Sequence, residues 1–580
     1  MSEQSFSDCF CFRKILRLHI VEPPEEIRNQ FIKYSTNGFM SIDDLQRFLT
    51  DFQEESNAIS SAKVIFDSLK RLKIFQRSGL LLEAFFKYLL SDLNPPLYPK
   101  VHHDMNAPLA HYFLYTGHNS YLTGNQLWSK SSVEPIIKAL KRGVRVIELD
   151  LWPNSRKDNA EVRHGGTLTA PVDLLKCLRA IKDYAFVATE YPVVITFEDH
   201  LTPNLQRKVA KMVNKTFGGM LFTLDPESDY LTQFPSPEFL RKKVLISTKP
   251  PKKYLESQSL KEKEKAQKSE NSAAKVVVQN EEKDDLLDDE QFKQDGDEDT
   301  AVPEYKRLIS IRAGKLKGGS GNLLNVDLDE FRRVSLSEVA LEDAAKTCGT
   351  DIVRFTQRNL MRVYPKGTRI TSSNYNPFVG WMHGAQMVAF NMQGYGKYLA
   401  IMQGMFRANG GCGYVKKPEF LLHVGPNNEV FDPKAKLPVK ILLKVKVYLG
   451  EGWHSDFRLT HFDRCSPPDF YAKIGIAGVP TDKVKKRTKT LEDEWLPVWD
   501  EEFEFPLTVP ELAILRIKVL EEDATGRPEF AGQTCLPVLE LRTGIRAVPL
   551  YDKKGQKYRS VRLLMRFQMV QYQGGLVDSN

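Results

Sequence analysis

Four short segments between His111 and His200 contain the side chains of this sequence that are best suited to chemistry. They span residues 117–122, 145–150, 163–168 and 193–200 and contribute His118, Asn119, Glu148, Asp150, His164 and Glu198. Carboxylate and amide oxygens are ligands for Ca²⁺ or Mg²⁺ rather than for zinc, and imidazole takes up and releases protons near neutral pH. The set therefore predicts a hard divalent cation beside an acid–base pair, which is equipment for attack on a phosphate ester.

The acidic residues need strands to bring them together. Glu148 and Asp150 lie two apart at the end of an apolar strand pattern, so both project from one face, and Glu198 ends a second such pattern. Parallel barrels and doubly wound sheets place active sites at these strand ends. Three converging acids are costly to desolvate unless a cation offsets their charge. The alternatives are that Arg145 and Arg163 neutralise the acids, or that the histidines bind a transition metal.

The composition is that of a globular protein with several domains. The chain has 580 residues, of which 42% are hydrophobic and 27% are charged. No apolar run approaches the ~18 residues of a membrane-spanning helix, and the polar N-terminus lacks the features of a secretory signal. Seven scattered cysteines, an odd number, indicate free thiols in an intracellular protein.

Charge is distributed unevenly along the chain. Residues 281–299 hold eleven acids and two lysines, which is a local net charge of −9. The net charge of the whole chain is +8, so the remainder carries +17. A basic body of this kind suits nucleic acid or an anionic membrane. Because the sequence has no zinc finger, RNP-type segment or basic helix leading into heptads, we expect no nucleic acid as a partner and favour a membrane surface.

The periodicity divides the chain into five parts. Residues 1–95 are predicted to be helical, and the loop from Lys33 to Asp44 has EF-hand spacing but carries too little negative charge to hold calcium well. Strands and helices alternate over residues 104–249 and strands resume over 304–420, which predicts one parallel α/β fold. Residues 250–303 are predicted to be an acidic, disordered linker. Residues 437–568 alternate like an all-β sandwich.

Three strings in the second half of the α/β region are long and unusual. They read Met-Arg-Val-Tyr-Pro-Lys-Gly-Thr-Arg at 361–369, Ser-Ser-Asn-Tyr-Asn-Pro at 372–377 and Gly-Gly-Cys-Gly-Tyr at 410–414. With them, the chain resembles the eukaryotic phosphoinositide-specific phospholipases C, and Ile-Ser-Thr-Lys-Pro-Pro-Lys at 246–252 is similar to the short plant type. The resemblance implies a multidomain fold: an α/β barrel of the TIM type split into an X half (104–249) and a Y half (304–420), preceded by an EF-hand-like helical lobe and followed by an all-β C2 sandwich.

The same resemblance implies roles by position. The ligands of a catalytic Ca²⁺ correspond to Asn119, Glu148, Asp150 and Glu198. The catalytic groups correspond to His118 and His164, with Glu148 or Glu198 as the proton acceptor. The residues that hold the inositol ring and its phosphates correspond to Lys249, Ser335, Arg362 and Tyr364. Ser247 is a departure, because animal members have a second headgroup lysine there. The loss of that cation implies less stringent recognition of the 4- and 5-phosphates.

The implied reaction is Ca²⁺-dependent hydrolysis of phosphatidylinositol 4,5-bisphosphate to inositol 1,4,5-trisphosphate and diacylglycerol, through a cyclic phosphodiester, in intracellular signalling. Such an enzyme is expected to be a monomer that works in the cytoplasm and, peripherally, at the cytoplasmic face of the plasma membrane, with the anionic phosphoinositide membrane as its partner. Two other functions compete with it: a glycerophosphodiester phosphodiesterase, which also uses histidines, a Glu-x-Asp pair and a metal, and a catalytically silent lipid-binding scaffold.

Two regions are expected to meet the lipid. Leu127 and Trp128 match an apolar ridge at the barrel rim, although ordinary core packing would also explain them. In the sandwich, the acids Asp463, Asp469, Asp500 and Asp523 lie in predicted loops and suit a Ca²⁺-dependent lipid site, with Glu529 nearby. The basic run 483–489 is expected either to contact anionic lipid or to be solvated.

Overall fold

The computed structural model describes most of the chain. Side chains are described for residues 22–69, 79–224, 233–250, 302–314, 331–426, 429–458, 461–462, 467–522 and 526–572, and backbone alone for residues 3–6, 14–17 and 75–76. The predicted linker, apart from its ends, and the predicted loop acids Asp463 and Asp523 lie outside the described residues. None of the described helices is both long and apolar enough to cross a membrane.

The N-terminal lobe is built from helices and two small hairpins. Its helices are α1 (Glu25–Tyr34), α2 (Ile42–Asp51), α3 (Ala58–Leu69) and α4 (Leu82–Leu89), and its strands are β1 (Glu3–Phe6), β2 (Lys14–Arg17), β3 (Phe75–Gln76) and β4 (Gly79–Leu80). Asp44, the last position of the EF-hand-like loop, forms a capping box with Ser41 and pairs with Arg47 at 2.5 Å. Its carboxylate therefore serves the first turn of α2.

The central domain is a closed barrel of eight parallel strands, which confirms the predicted TIM-type fold. After the short β5 (Tyr112–Leu114), the barrel strands in chain order are β6 (Thr116–Gly117), β7 (Val146–Pro153), β10 (Val193–Asp199), β11 (Val244–Thr248), β12 (Ile309–Gly314), β13 (Arg333–Ser337), β14 (Leu360–Tyr364) and β15 (Met387–Phe390). Pairing of β7 with β10 closes the ring. The strands β8 (Ala160–Val162) and β9 (Val172–Asp173) extend β7, and β16 (Tyr414–Lys416) pairs with β5.

Helices cover the outside of the barrel. They are α5 (Glu134–Lys141), α6 (Leu174–Tyr184), α7 (Pro203–Phe217), α8 (Pro303–Leu308), α9 (Glu338–Arg358), α10 (Phe378–Trp381) and α11 (Lys397–Met405). In α6, Asp173 caps the N-terminus by accepting a hydrogen bond from the Lys176 amide, and Leu174, Cys177, Leu178 and Ile181 form the buried stripe. This is the helical spacing that packs one face against a sheet.

The barrel interior changes from apolar to polar along the strands. At the lower level Val146, Val194, Leu245, Ile311, Leu360 and Met387 belong to one buried cluster. Two residues further along, four of these strands carry Glu148, Thr196, Ser247 and Arg362. Because residues two apart on a strand share a face, the polar side chains stand above the apolar layer, at the carboxyl end of the barrel.

The C-terminal domain is an antiparallel β-sandwich of eight strands, as predicted. Its strands are β17 (Ile441–Glu451), β18 (Phe470–Ala477), β19 (Val484–Arg487), β20 (Val498–Leu507), β21 (Ile514–Glu521), β22 (Glu529–Pro537), β23 (Gly544–Tyr551) and β24 (Lys557–Gln571), with one short helix, α12 (Trp453–Asp456). The order β19-β18-β21-β22 forms one layer and β23-β24-β17-β20 the other, and the pair Gln533–Tyr551 joins them. Alternate residues of β17 point into the shared core.

The three domains are in direct contact. Gly404 of α11 lies so close to β22 that a Cβ atom there would clash with Cys535. The N-terminal lobe packs against the other layer of the sandwich, because Tyr448, Leu449, Ile545 and Leu564 belong to the same core as α1–α4. The sandwich therefore braces both the barrel and the helical lobe.

Candidate active site

Three carboxylates meet at the carboxyl end of β7 and β10. In the parallel register Glu148 lies opposite Thr196, and Asp150 lies opposite Glu198. One oxygen from each of Glu148, Asp150 and Glu198 lies within 4.8 Å of the others. Glu148 and Asp150 are buried, whereas the Glu198 side chain is 55% exposed. The cluster therefore opens to solvent on the β10 side.

The protonation of these acids is uneven. Burial, followed by the charges of Glu198 and Glu148, raises the pKa of Asp150 well above its usual range. Burial also favours the protonated form of Glu198, but the hydrogen bond and charge of His200, at 2.9 Å, act together with the charges of Arg362 and His118 and lower the pKa of Glu198. Ionisation of Asp150 is therefore opposed both by its burial and by the two neighbouring acids.

The arginines that the sequence suggested as partners do not neutralise the cluster. Arg145 is fully buried but donates only to backbone carbonyls, including that of Ala185 at 2.7 Å, and Arg163 pairs with Glu161 at 3.2 Å. The cation that does reach the cluster is Arg362 of β14, which pairs with Glu148. The sequence assigned Arg362 to the substrate, and its contact with Glu148 links the acids to the substrate residues.

The donor set fits a hard divalent cation. Asp150 Oδ2 accepts from the Tyr121 hydroxyl at 2.6 Å, but its buried Oδ1 has no described partner. The backbone N–H of Asn119 donates to Glu148 at 3.1 Å and its side-chain Nδ2 donates to Gln126, which leaves the amide oxygen as its ligand atom. An all-oxygen set that includes an orphaned carboxylate oxygen is what Ca²⁺ or Mg²⁺ requires.

Both predicted histidines are oriented by bonds to Nδ1. His118 Nδ1 lies 3.0 Å from Asn391 Oδ1, and His164 Nδ1 lies 2.8 Å from the Gln126 carbonyl. Both partners are acceptors, so each Nδ1 carries the proton and Nε2 is the atom left for a substrate. Burial, partly opposed by the charge of Glu148, lowers the pKa of His118.

Gln126 links His164 to Asn391, the partner of His118, and the sequence did not predict this role. Its carbonyl holds His164, and its side-chain amide donates to Ser372 Oγ at 2.8 Å and to Asn391 Oδ1 at 3.1 Å. The only sequence signal was its position in the loop that follows His118 and Asn119. A glutamine in a loop has no motif, and its partners lie far along the chain.

The predicted substrate residues line the neighbouring strands. Ser335 of β13 is in register with Arg362 of β14, and the Arg362 guanidinium lies 5.4 Å from the centre of the Tyr364 ring. Lys249 follows the end of β11 and is exposed. Ser247, two residues earlier, is fully buried and its Oγ has no described partner. The four predicted residues thus lie at the carboxyl ends of β11, β13 and β14, at the mouth of the barrel, and Arg362 is the most buried of them.

The rim around this mouth is more apolar than the sequence indicated. Trp128 is 64% exposed and Leu127 is half-buried, so core packing does not explain Trp128. Three further exposed apolar side chains follow barrel strands and were missed: Leu168 (85% exposed), Tyr395 (69%) and Ile370 (40%). The backbone N–H of Leu168 donates to the Leu127 carbonyl at 2.8 Å, and the backbone N–H of Gln126 donates to the Ile370 carbonyl at 2.9 Å. These bonds join the loops that carry Trp128, Leu168 and Ile370. We call Trp128, Leu168, Ile370 and Tyr395 the apolar rim.

The predicted calcium acids of the sandwich are not brought together as a described cluster. Asp469 accepts from the Asp493 amide at 2.8 Å, and Asp500 pairs with Lys446 at 3.0 Å. Within the described part of the chain, neither belongs to a group of three metal-ligating side chains. In the basic run, Arg487 pairs with Glu522 at 3.1 Å.

Comparison with known proteins agrees with this architecture. Residues 105–250 match the family model described as "Phosphatidylinositol-specific phospholipase C, X domain", residues 327–420 match the Y domain of that family, and residues 442–552 match the C2 domain. The two catalytic matches fall on the two halves of the barrel.

Relatives match over nearly the whole chain. Phosphoinositide phospholipase C 2 of Arabidopsis thaliana is 58% identical, covering 98% of this chain and 100% of the relative. The 1-phosphatidylinositol 4,5-bisphosphate phosphodiesterase delta-3 of Mus musculus is 30% identical, covering 94% of this chain and 68% of the relative. The crystal structure of L. pealei PLC21 superposes with a TM-score of 0.72 at 27% identity, covering 95% of this chain and 69% of that one. The chain therefore belongs to the phosphoinositide phospholipase C family and is an enzyme of that class, a phosphodiesterase of phosphoinositides.

Proposed function

We propose that the protein hydrolyses phosphatidylinositol 4,5-bisphosphate to inositol 1,4,5-trisphosphate and diacylglycerol in a Ca²⁺-dependent reaction that passes through a cyclic inositol phosphodiester. The observation that carries this proposal is the composition of one barrel mouth. Three carboxylates lie within 4.8 Å of one another, two histidines present Nε2, and Arg362 reaches the same cluster. Acids, bases and cations are thereby available around a single phosphate.

Asn119, Glu148, Asp150 and Glu198 are the residues proposed to hold Ca²⁺. When bound, the ion would supply Lewis-acid chemistry, lowering the pKa of the inositol 2-hydroxyl and offsetting charge on the phosphate. The orphaned Oδ1 of Asp150 supports this assignment. The raised pKa of Asp150 supports the assignment as well, because a cation would offset the cost of ionising a buried carboxylate beside two others.

In the first step a carboxylate takes the proton of the 2-hydroxyl. Glu198 suits this role because it is accessible and its lowered pKa keeps it ionised at neutral pH; Glu148 is the other candidate. The 2-oxygen attacks the adjacent phosphorus, and the bond from phosphorus to the diacylglycerol oxygen breaks. His164, protonated at both nitrogens, gives its Nε2 proton to the departing oxygen.

His118 is proposed to stabilise the phosphate while its charge grows. To donate from Nε2 as well as from Nδ1, the ring must be an imidazolium. Burial opposes this form, but a phosphate oxygen at Nε2 would favour it. The charge-assisted hydrogen bond is then strongest in the transition state, where catalysis requires it.

In the second step water opens the cyclic phosphodiester. His164, now neutral at Nε2, accepts a proton from the water as its oxygen attacks phosphorus. The bond from phosphorus to the 2-oxygen breaks, and the carboxylic acid returns its proton to that oxygen. The carboxylate and His164 thereby return to their starting protonation states. Through both steps, the inositol ring and its phosphates are held by Lys249, Ser335, Arg362 and Tyr364.

We further propose that the enzyme acts as a peripheral monomer at the cytoplasmic face of the plasma membrane. The apolar rim follows the adjacent strands β14, β15, β6 and β7, on one side of the mouth, so its insertion into lipid would bring the headgroup to the carboxylates. Exposed aromatic side chains at a membrane interface contribute through buried apolar area. The sandwich is the second expected contact with anionic lipid.

Product analysis tests this proposal against the two competing functions. Vesicles that contain phosphatidylinositol 4,5-bisphosphate are incubated with the protein at buffered free Ca²⁺, in parallel with the deacylated, water-soluble phosphodiester. We expect diacylglycerol and both cyclic and acyclic inositol phosphates from the lipid, and none from an analogue without the 2-hydroxyl. Cleavage of the deacylated compound alone would favour a glycerophosphodiester phosphodiesterase, and cleavage of neither would favour a silent scaffold.

A further inference from the structure

Arg333 is a buried cation that the mechanism above does not use. It begins β13 with its side chain inside the barrel, in register with Leu360 of the apolar layer on one side and with the small Ala313 on the other. The residue is 6% exposed. Its Nη1 donates to Ser335 Oγ at 3.1 Å, so the guanidinium extends upward to a predicted substrate residue.

No anion in the described part of the chain neutralises this guanidinium. No described carboxylate lies within 4.0 Å of Arg333, and its buried Nε has no partner among the described residues. Glu148, the acid whose charge acts on it, is already paired with Arg362. A buried charge without a counter-ion is costly, and this cost is difficult to explain if Arg333 serves only packing.

The surroundings increase the cost. Burial, followed by the charge of Arg362, lowers the pKa of Arg333 to about 9. The group therefore remains protonated at pH 7, with a second guanidinium nearby. The Nε of Arg362 and the Oγ of Ser247 are likewise buried without described partners. Two neighbouring cations with unsatisfied hydrogen-bonding capacity are a suitable environment for a multiply charged anion.

We propose that Arg333 binds a ring phosphate of the inositol headgroup and so replaces the cation that is missing at Ser247. A guanidinium offers a planar fork that matches phosphate oxygens. Because Ser335 Oγ accepts from Arg333, its own O–H can donate to the same phosphate. Arg333 is then a specificity-determining residue that favours phosphorylated over unphosphorylated inositol lipids. The inference rests on the proposed function and adds to it the origin of headgroup selectivity.

The test compares two lipids and one soluble headgroup. The ratio of kcat/KM for phosphatidylinositol 4,5-bisphosphate to that for phosphatidylinositol is measured in vesicles of matched composition. The Kd of soluble inositol 1,4,5-trisphosphate is measured by calorimetry. The variants are Arg333→Met, Arg333→Lys, the double variant Ser247→Lys with Arg333→Met, and the control Arg332→Met. Arg332 is the adjacent arginine, just before β13, and its side chain lies beside Gly314, which pairs with Val334 of the outer core instead of the barrel interior.

We expect Arg333→Met to lower the kcat/KM ratio and weaken trisphosphate binding by about 10- to 100-fold, the effect of losing a charge-assisted hydrogen bond. The kcat/KM ratio of Arg333→Lys should lie between those of Arg333→Met and the wild type. The double variant should regain part of the wild-type ratio, and Arg332→Met should have the wild-type ratio and affinity. Activity on the two lipids tests recognition of the headgroup as part of a lipid, and calorimetry tests binding of the soluble inositol trisphosphate.

An equal loss on both lipids, with the ratio unchanged, would overturn the inference and make Arg333 a structural residue. Wild-type affinity for the trisphosphate in Arg333→Met would overturn it as well, as would a double variant that regains none of the ratio. If the wild type cleaves neither lipid, the proposed function fails, but calorimetry still decides whether Arg333 binds a headgroup phosphate.

Discussion

The catalytic side chains are oriented by residues that are distant in sequence. The Arg362–Glu148 pair spans 214 positions and the His118–Asn391 contact spans 273. Sequence patterns predicted which acids and histidines gather at strand ends, because strand alternation and strand-end placement are local rules. They could not predict Arg362 beside Glu148 or Gln126 beside His164, because those contacts depend on how the barrel closes.

The proton donor can be identified by changing the leaving group. His164→Ala should reduce release of diacylglycerol by about 10²- to 10⁴-fold, the usual contribution of a general acid. A substrate that releases p-nitrophenolate needs no proton on the leaving oxygen, so its cleavage should fall much less. Steady-state rates on the two substrates provide the measurement.

A matched control is His423→Ala, since His423 is exposed and pairs with Glu419. It should leave both rates near the wild-type values. Equal losses on both substrates in His164→Ala would contradict the assignment of His164 as the acid.

At the scale of elements, the loops that follow barrel strands combine chemistry with lipid contact. The loop after β6 carries His118 and Asn119 and then Trp128, within eleven positions. The sequence predicted Leu127 and Trp128 for the rim, but it did not predict Leu168, Ile370 or Tyr395. An isolated apolar residue in a polar loop resembles a core residue until the fold shows that it is exposed.

The rim predicts a difference between vesicles and dissolved substrate. Trp128→Ala should lower hydrolysis of phosphatidylinositol 4,5-bisphosphate in vesicles about 10-fold, because partial burial of a large apolar side chain in lipid is lost. Hydrolysis of a monomeric short-chain analogue should change little. Initial rates on the two substrates give the comparison.

Phe239→Ala is the matched control, since Phe239 is 71% exposed but precedes β11, at the opposite end of the barrel. It should behave as the wild type on vesicles. A proportional loss on both substrates in Trp128→Ala would show that Trp128 acts on the chemistry instead of on membrane contact.

The lower end of the barrel contains a lysine that is expected to make stability pH-dependent. Lys417 is 2% exposed and donates to the Thr356 carbonyl at 2.8 Å, and burial lowers its pKa to about 7. Between pH 7 and about 10.4, the folded lysine is mostly neutral, whereas the unfolded one binds a proton. The unfolded state binds more protons in this window, so rising pH stabilises the fold, by at most about 1.4 kcal/mol per pH unit.

Thermal unfolding from pH 7 to 10 measures this effect. The difference in Tm between the wild type and Lys417→Met should shift in favour of the wild type as the pH rises. Lys416→Met removes the neighbouring lysine, which pairs with Glu419 at 3.3 Å, and should show no such trend. A Tm difference for Lys417→Met that is constant with pH would refute the prediction.

At the scale of the whole molecule, the sandwich joins the helical lobe through a buried polar network. Glu55 accepts from Arg546 at 2.8 Å and from Arg542 at 2.6 Å, and Arg546 is fully buried. Periodicity predicted a parallel α/β domain and an all-β sandwich, because their strands follow local patterns, whereas the family resemblance implied that the first is a closed barrel. Periodicity did not predict this interface, since single charged residues carry no sign of a partner nearly 500 positions away.

Removal of the shared acid should destabilise the whole assembly. Glu55→Gln leaves two arginines without their counter-ion, a change that typically costs about 3–5 kcal/mol when a buried pair is broken. The midpoint of chemical denaturation should fall accordingly. Asp92→Asn is the matched control, because Asp92 is 75% exposed and pairs with Lys557 across the same contact, and exposed pairs contribute about 0–1 kcal/mol. Equal effects of the two substitutions would contradict a buried interdomain network.

The oxygen cluster at the end of β7 and β10 is proposed to be a Ca²⁺ site on which turnover depends. Its most direct test is inositol trisphosphate release from phosphatidylinositol 4,5-bisphosphate vesicles over a range of free Ca²⁺, for the wild type, Glu148→Gln and Glu161→Gln. Glu161 is the control because it lies on β8 and pairs with Arg163. We predict that release by the wild type requires Ca²⁺ and that Glu161→Gln shows the same Ca²⁺ dependence. Release by Glu148→Gln should be at least about 100-fold slower than by the wild type at every Ca²⁺ concentration. Wild-type release that persists in a chelator, or a wild-type Ca²⁺ response in Glu148→Gln, would contradict the claim.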